Sequence, residues 1–189
     1  MNYVYHGSNI SNLKVIKPHK STHLNDWVYA TPSRAIATIF LSPLHSDYYY
    51  YLSGNGITND VILVERKEGM FKKIFNYDGY IYKLKSDNFK SGMTSWSAEV
   101  VSDREEKVVS SYYVKNIYDE LVKLDKEGLI KLYLYPNRPD DVPLDNSDLI
   151  PKVLRWYKNG FKIDKFYELY PEFRDEVLRI INNENNDFW

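Results

Sequence analysis

The hydrophobic pattern of this chain changes near residue 136, and that change limits the folds it can adopt. Before residue 136, short alternating or continuous apolar runs are bounded by turn-forming residues, which is typical of β-strands. The predicted strands cover residues 2–6, 27–30, 61–66, 70–75, 80–84, 96–102, 107–117 and 129–135. In the same part, residues 33–41 and 119–126 have the spacing of amphipathic helices. The first part of the chain is therefore predicted to combine strands with a few helices.

A segment rich in proline and aspartate follows this first part. Residues 136–148 contain three prolines and four aspartates, which predicts a linker or a long loop. After it, residues 149–158, 164–170 and 171–182 have helical periodicity. We therefore predict an α+β domain over residues 1–135, with a β-sheet core and flanking helices. A linker and a helical C-terminal segment are expected over residues 136–189.

The composition excludes several kinds of function. The 25 basic and 26 acidic residues give a net charge of −1, so nothing favours non-specific binding to nucleic acids or membranes. The chain has no cysteine, which excludes disulfides and thiolate metal sites and favours a cytoplasmic location. We expect no signal peptide, and no apolar run approaches the roughly 18 residues of a membrane-spanning helix. Eighteen tyrosines supply many rings with polar edges, which suit a flat, polar ligand.

Three short motifs carry the functional prediction. The first, residues 5–8, has the sequence Tyr-His-Gly-Ser at the end of the first predicted strand. The second, residues 28–31, has the sequence Val-Tyr-Ala-Thr and leads into a predicted helix. Thr31 is the expected N-cap of that helix and Pro32 its first residue. The third, residues 98–101, has the sequence Ala-Glu-Val-Val and is followed, after a turn, by a lysine-bearing strand.

In this order the motifs resemble the His–Tyr–Glu class of the ADP-ribosyltransferase superfamily, over about residues 1–117. Members end a strand in His-Gly-Ser or His-Gly-Thr, carry a tyrosine on a strand before a helix of small residues, and open a late strand with glutamate. The resemblance implies a split, mixed or antiparallel β-sheet of the poly(ADP-ribose) polymerase and diphtheria-toxin type. It also implies NAD as a substrate, with ADP-ribose passed to a protein or nucleic acid, or to water by an NAD glycohydrolase.

The resemblance gives each matching residue a role. Glu99 is expected to be the catalytic residue, because a fixed carboxylate stabilises the positive charge that spreads over the ribose as the nicotinamide bond breaks. Tyr29 offers a ring on which nicotinamide can stack. The backbone of Gly7 can approach the carboxamide closely, and a ring nitrogen of His6 can bind a ribose hydroxyl.

Two serines complete the expected NAD site. Ser8 would offer its hydroxyl to the carboxamide. Many members carry a serine on the helix after the tyrosine, facing the carboxamide; here Ser33 lies early in that helix, and Ala35 and Ala37 occupy the usual positions, which is one departure. Trp27 is another departure, because family members often have glycine shortly before the tyrosine. No metal is expected, since His19 and His23 have metal-ligand spacing but no third ligand accompanies them.

Other interpretations of the same residues stay open. His6, Tyr29 and Glu99 could be a strand-end histidine, a core tyrosine and a solvent-facing glutamate. The chain could also be a non-catalytic module that binds a nucleotide or a protein on the same fold. A third alternative is an RNA 2′-phosphotransferase, which uses NAD on a related fold and needs several arginines to hold phosphorylated RNA. The arginines in the first two-thirds of the chain are Arg34, Arg66 and Arg104.

Overall fold

The computed structural model describes residues 2–20, 25–58 and 60–186. The chain divides into two compact units, Met1–Asn137 and Arg138–Trp189. The boundary between them lies two residues after the one expected from the composition. Within the described ranges, no helix combines the length and apolar character needed to cross a membrane.

The first unit combines strands with helices, so the α+β class predicted from the sequence is confirmed. Its strands are β1 (Tyr3–Ser8), β2 (Val15–Ile16), β3 (His19–Lys20), β4 (Asp26–Ala30), β5 (Tyr50–Ser53), β6 (Ile62–Glu65), β7 (Gly79–Lys85), β8 (Lys90–Ser91), β9 (Val100–Ser102), β10 (Glu106–Val114) and β11 (Lys131–Tyr133). Its helices are α1 (Arg34–Ile39), α2 (Met70–Ile74) and α3 (Ile117–Lys126).

The strands form three sheets. One sheet has the order β1-β7-β10-β2 and is antiparallel throughout. Another has the order β3-β4-β9-β8 and is also antiparallel. In the third, β6 pairs antiparallel with β5 and parallel with β11. A parallel pair needs a long crossover connection, and the chain from β6 to β11 supplies it.

The two antiparallel sheets are joined by one pair of residues: Tyr5 in β1 and Thr31, which directly follows β4. The N–H of Tyr5 donates to the carbonyl of Thr31 at 2.8 Å, and the N–H of Thr31 donates to the carbonyl of Tyr5 at 2.9 Å. This pair is an isolated bridge and not part of a continuous ladder. Next to it, the facing edges of β1 and β4 are open to each other, and the candidate site lies there.

Packing behind this opening holds the strands in place. Successive side chains of a strand face opposite sides, so alternate residues enter one apolar core. The residues buried in that core are Val4, Ile16, Val28, Ala30, Tyr82, Leu84 and Val100. Helix α1 buries Ala35, Ile36 and Ile39. Strand β4 is therefore anchored by the face opposite Tyr29, and β1 is anchored through Val4.

Helix α1 begins later than the sequence suggests. Thr31 was the expected N-cap, but the N-cap is Ser33, whose Oγ accepts a hydrogen bond from the N–H of Ile36 at 3.2 Å. The hydroxyl of Thr31 instead accepts from the N–H of Ser33 at 3.2 Å. Both hydroxyls accept hydrogen bonds from N–H groups at the start of the helix, which have no partner within it. The predicted N-cap is therefore wrong by two residues, although a hydroxyl side chain does cap the helix.

The strand predicted over residues 70–75 is wrong, because this segment is helix α2. Met70, Phe71 and Ile74 are buried, and this i, i+1, i+4 spacing belongs to a helix. Gly69 precedes the helix in a left-handed conformation, with φ of 73°. The carboxylate of Glu65 accepts a hydrogen bond from the N–H of Phe71 at 2.8 Å and thereby stabilises the first turn.

The second unit is helical, with α4 (Leu149–Lys158), α5 (Asp164–Leu169), α6 (Arg174–Asn186) and one 3-10 turn at Pro171–Phe173. Three aromatic rings stack within it: Phe166 lies 5.5 Å from Tyr170 and 6.1 Å from Phe173 between ring centroids. Val153 and Val177 are fully buried as well. This unit therefore has an apolar core of its own.

Candidate functional site

His6 is held in a defined tautomer by the backbone of β4. Its Nδ1 lies 2.7 Å from the carbonyl oxygen of Tyr29. A carbonyl oxygen only accepts hydrogen bonds, so Nδ1 carries the proton and donates it. Burial lowers the pKa of His6 below its ordinary value of 6.5, although this hydrogen bond opposes the shift. The neutral ring therefore keeps a lone pair on Nε2, which can accept a hydrogen bond from a hydroxyl.

Gly7 presents its peptide groups to the opening between β1 and β4. Tyr5 directs its N–H and C=O toward Thr31. Peptide groups two residues apart on a strand point the same way, so those of Gly7 face the same side, beyond the bridge. On the face of β1 that packs on α1 there is no room for a side chain at Gly7, because a Cβ there would lie 2.6 Å from the carbonyl oxygen of Ala37. Glycine is thus required for the close packing of β1 on α1.

Tyr29 is half-buried on β4, where the neighbouring Val28 and Ala30 are buried on the opposite face. Its ring centroid lies 6.1 Å from that of Trp27, in an edge-on arrangement, and 6.0 Å from that of His19. Trp27 thus contacts Tyr29 from its own strand, and it is not among the residues that line the cavity beside Tyr29. These neighbours fix the position of the Tyr29 ring.

Glu99 directly precedes β9 and is half-buried. The predicted strand over residues 96–102 is only partly formed, because a turn precedes Val100 and the N–H of Glu99 donates to the carbonyl of Trp96 at 3.1 Å. β4 and β9 pair with Ala30 opposite Val100. Glu99 therefore lies at the end of this ladder, close to Thr31 and the bridge to β1.

A cavity of about 150 Å³, here called the small cavity, brings these residues together. The predicted site residues that line it are His6, Gly7, Tyr29 and Glu99. Sequence reasoning missed its other lining residues, which are Tyr5, Ala30, Thr31, Ala37, Phe40 and Trp96. The convergence of β1, β4 and the turn before β9 thus gathers a basic ring nitrogen, open peptide groups, an aromatic ring and a carboxylate.

A second cavity of about 960 Å³, here called the large cavity, adjoins the small one and shares His6, Gly7 and Phe40 with it. Lys17 and His19 also line it, so cationic or hydrogen-bonding groups are present on its wall. His23, which has metal-ligand spacing from His19, lies outside the described residues. No group of three or more potential metal ligands occurs among the residues that the structure describes.

The two predicted serines have different positions. Ser8 lines the large cavity, where its hydroxyl accepts a hydrogen bond from the N–H of Ile10 at 3.2 Å. Ser33 is buried as the N-cap of α1 and lines a separate cavity with Tyr5, Arg34 and others. The structure does not bring Ser33 to the small cavity, because its hydroxyl is directed at the first turn of its own helix.

Phe40 and Trp96 form an aromatic wall that the sequence pattern hid. Phe40 follows Ile36 and Ile39, which are buried, so the helical period grouped all three as one apolar face. Phe40 is in fact 41% exposed, and its ring centroid lies 5.5 Å from that of Trp96. The helix ends at Ile39, earlier than the predicted residue 41, so the helical period does not set the direction of Phe40.

No protein-family model, no curated protein and no solved structure matches this chain. Its function must therefore be inferred from the groups around the small cavity. Open peptide groups at Gly7 can pair with an amide, and the ring of Tyr29 can lie against a flat heterocycle. Nε2 of His6 can accept from a hydroxyl, while Glu99 supplies negative charge. Together these groups suit an amide-bearing ring joined to a sugar.

Proposed function

We propose that this protein binds NAD, breaks the bond between its nicotinamide and its ribose, and passes the ADP-ribose to an acceptor. The proposed fold is of the ADP-ribosyltransferase type, the family that the sequence motifs resemble. One observation carries the proposal: His6, Gly7, Tyr29 and Glu99 come from three separate parts of the chain and line one small cavity.

The nicotinamide would occupy the small cavity. Its carboxamide carries one acceptor and two donors, which complement the C=O and N–H of Gly7. The lack of a side chain at Gly7 lets β1 pack closely on α1, because a Cβ there would lie 2.6 Å from the carbonyl oxygen of Ala37. The ring of Tyr29 and the aromatic wall of Phe40 and Trp96 would enclose the heterocycle.

Bond breaking would depend mainly on Glu99. The bond between C1′ of the ribose and the nicotinamide nitrogen breaks with its electron pair moving to nicotinamide, which leaves as a neutral molecule. Positive charge then spreads over the ribose ring, and a fixed carboxylate beside it lowers the energy of this state. Because Glu99 is half-buried, its charge is less screened there than in bulk water. His6, neutral and accepting at Nε2, would hold a ribose hydroxyl and orient the sugar.

The remainder of NAD would extend into the large cavity. Typical small-molecule pockets occupy about 300–1,000 Å³, so the small cavity alone is too small for NAD and the large one is needed. Lys17 and His19 line the large cavity and are suitable partners for the pyrophosphate. The two cavities share His6 and Gly7, which is where the nicotinamide ribose would lie.

The direct test is release of nicotinamide from NAD by the purified protein. Glu99→Gln preserves the size of the side chain and removes its charge, so we expect release to fall about a hundredfold or more. Glu68→Gln is the matched control, because Glu68 is exposed in the turn before α2 and lines neither the small nor the large cavity. Release that is equal in both variants would contradict the role of Glu99.

The same experiment separates the remaining alternatives. Stabilisation of the protein by NAD without release would indicate a non-catalytic module. Release into water alone would indicate a glycohydrolase. The RNA 2′-phosphotransferase receives less support, because its arginines do not gather at the small cavity. Arg66 is fully buried, Arg34 is paired with Glu127, and Arg104 lies in the β9–β10 turn beside Asp103.

A further inference from the structure

Strand β10 has a side that no other strand covers along most of its length. On one side, β10 pairs with β7 from Val108 to Val114. On the other side, β2 pairs with it only at Glu106 and Lys107, and the N–H of Val108 donates to the carbonyl of Lys14 at 3.0 Å. Beyond Val108, no strand of the described ranges lies on that side. Residues 110–114 of this uncovered side are here called the outer edge.

The direction of the peptide groups in this sheet follows from Tyr5 in β1. Its N–H and C=O bond to Thr31, so they point away from β7 and from the paired residue Lys83. Hydrogen-bonded and non-hydrogen-bonded pairs alternate along an antiparallel ladder. Lys83 therefore directs its own peptide groups to its other side, toward β10, and Ile81, two residues away, does the same.

Four peptide groups of the outer edge consequently point away from the sheet. The residues of β10 that are paired with those two positions of β7 are Ser110 and Tyr112, so these two bond to β7. Ser111 and Tyr113 alternate with them, and their N–H and C=O groups point outward. Both residues are exposed, and these four groups have no backbone partner in the part of the chain that the structure describes.

The outer edge lacks the features that keep natural edge strands from pairing with another chain. Those features are charged side chains, proline, and bulges that twist the edge away. The outer edge has the sequence Ser-Ser-Tyr-Tyr-Val, with no charge and no proline. A bulge occurs before it, between Val108 and Ser110, and the ladder is regular from there to Val114. Tyr113 is 51% exposed, so an apolar ring is presented as well.

We propose that the outer edge pairs antiparallel with the outer edge of a second copy of this chain, about a twofold axis at Tyr112. In this register Ser111 of each copy lies opposite Tyr113 of the other, and each such pair exchanges two backbone hydrogen bonds. All the outward N–H and C=O groups of both copies are then satisfied. A second copy fits because the paired residues are uncharged, so no like charges oppose each other. Each copy uses one edge, so the assembly closes as a dimer.

The first test is the oligomeric state of the whole chain, measured by analytical ultracentrifugation from about 1 to 500 µM. A pair of five-residue strands is smaller than a standard interface, so we expect a dimer with a Kd on the order of 10–100 µM. Ser111→Pro removes an outward N–H and keeps the ladder with β7, because an edge strand tolerates proline where the N–H faces solvent. It should weaken dimerisation at least tenfold. Ser111→Ala keeps the N–H and is the matched control, with an unchanged Kd.

A second measurement reports the register and does not depend on how the proline variant folds. The chain has no cysteine, so a disulfide between single-cysteine variants joins only the introduced residues. Opposite residues of a hydrogen-bonded pair lie about 5.5 Å apart between Cα atoms, which is within the range of a disulfide. Ser111→Cys and Tyr113→Cys chains, mixed and oxidised, should form the mixed dimer in at least fivefold greater yield than Ser111→Cys alone forms its own.

The outcomes are independent of NAD, so failure of this inference leaves the proposed function untouched, and the reverse also holds. A chain that stays monomeric at about 500 µM would overturn the inference. A dimer with the same Kd in Ser111→Pro and Ser111→Ala would place the interface elsewhere and overturn it too. Equal yields of the mixed and the identical disulfide would contradict the pairing about Tyr112. The unfolding temperature of each variant, measured alongside, identifies any loss of folding, and the disulfide yields then decide.

Discussion

Replacing Gly7 with alanine should force β1 away from α1. The added Cβ would lie 2.6 Å from the carbonyl oxygen of Ala37, about 0.8 Å closer than the 3.4 Å at which ordinary contact begins. The obstacle is backbone within a helix, so it cannot move without shifting α1. Overpacking of this kind costs about 1–3 kcal/mol, and the stiffer unfolded chain of the alanine variant offsets roughly 0.5 kcal/mol of that. We expect a net loss of about 1–2 kcal/mol.

Thermal unfolding measures this loss. For a chain of about this length, each kcal/mol lowers Tm by roughly 2–4 °C, so a loss of about 1–2 kcal/mol in Gly7→Ala should lower Tm by roughly 2–8 °C. Gly79→Ala is the matched control, because a Cβ there would lie 2.8 Å from Cδ2 of Leu41, the end of a side chain that can rotate, and its nearest backbone atom, the carbonyl oxygen of Ser8, would be 3.2 Å away, farther than the 2.6 Å of the Gly7 clash. We expect a smaller loss in this control.

The same substitution tests the binding role of Gly7. A shift of β1 moves the peptide groups of Gly7 relative to Tyr29, so we expect Gly7→Ala to bind NAD at least tenfold more weakly than Gly79→Ala. A Gly7→Ala protein with the Tm of the unmodified chain, or with a loss no larger than that of Gly79→Ala, would refute the packing argument. Equal NAD affinity in the two variants would refute the binding argument.

Three further predictions concern His6, Tyr29 and Ser33. Burial lowers the pKa of His6 in the folded protein, so the unfolded chain binds a proton at this residue more readily. The folded state should therefore keep its full stability above about pH 6.5 and lose part of it as the pH falls through the lowered pKa. Tm measured from about pH 7.5 to 5 should fall more in the unmodified chain than in His6→Gln. Tyr29→Leu should raise the Kd for NAD about five- to tenfold by calorimetry, whereas Tyr29→Phe, which keeps the ring, should change it less than about threefold. Ser33→Ala should lower the free energy of unfolding by about 1 kcal/mol through loss of the helix cap, with nicotinamide release unchanged, because Ser33 does not line the small cavity.

The sequence predicted residues of the site best where backbone geometry restricts residue type. Gly7 is conspicuous because only glycine fits against α1, and Tyr29 is conspicuous because it lies on a short alternating strand directly before a helix. The ordered motifs around His6, Tyr29 and Glu99, through their resemblance to a known family, predicted four residues that line the small cavity. They also singled out Ser33, which the structure places at the N-cap of α1 and not beside that cavity.

The sequence failed where the outcome depends on residues distant in the chain. Residues 70–75 are short and apolar, and periodicity alone does not separate a buried helical turn from a strand; the hydrogen bond from Phe71 to Glu65 favours the helix. Phe40 and Trp96 become neighbours only through packing of α1 near the turn before β9, so no local sequence pattern predicts the aromatic wall that they form.

The most direct test of the proposed site is a crystal structure of the protein with an NAD analogue whose ribose oxygen is replaced by carbon, which prevents cleavage. We predict that its carboxamide pairs with the N–H and C=O of Gly7, that its ring lies against Tyr29, and that Nε2 of His6 accepts from a ribose hydroxyl, with the Glu99 carboxylate beside C1′. An analogue bound elsewhere, or bound in the small cavity with its carboxamide directed away from Gly7, would contradict the proposal.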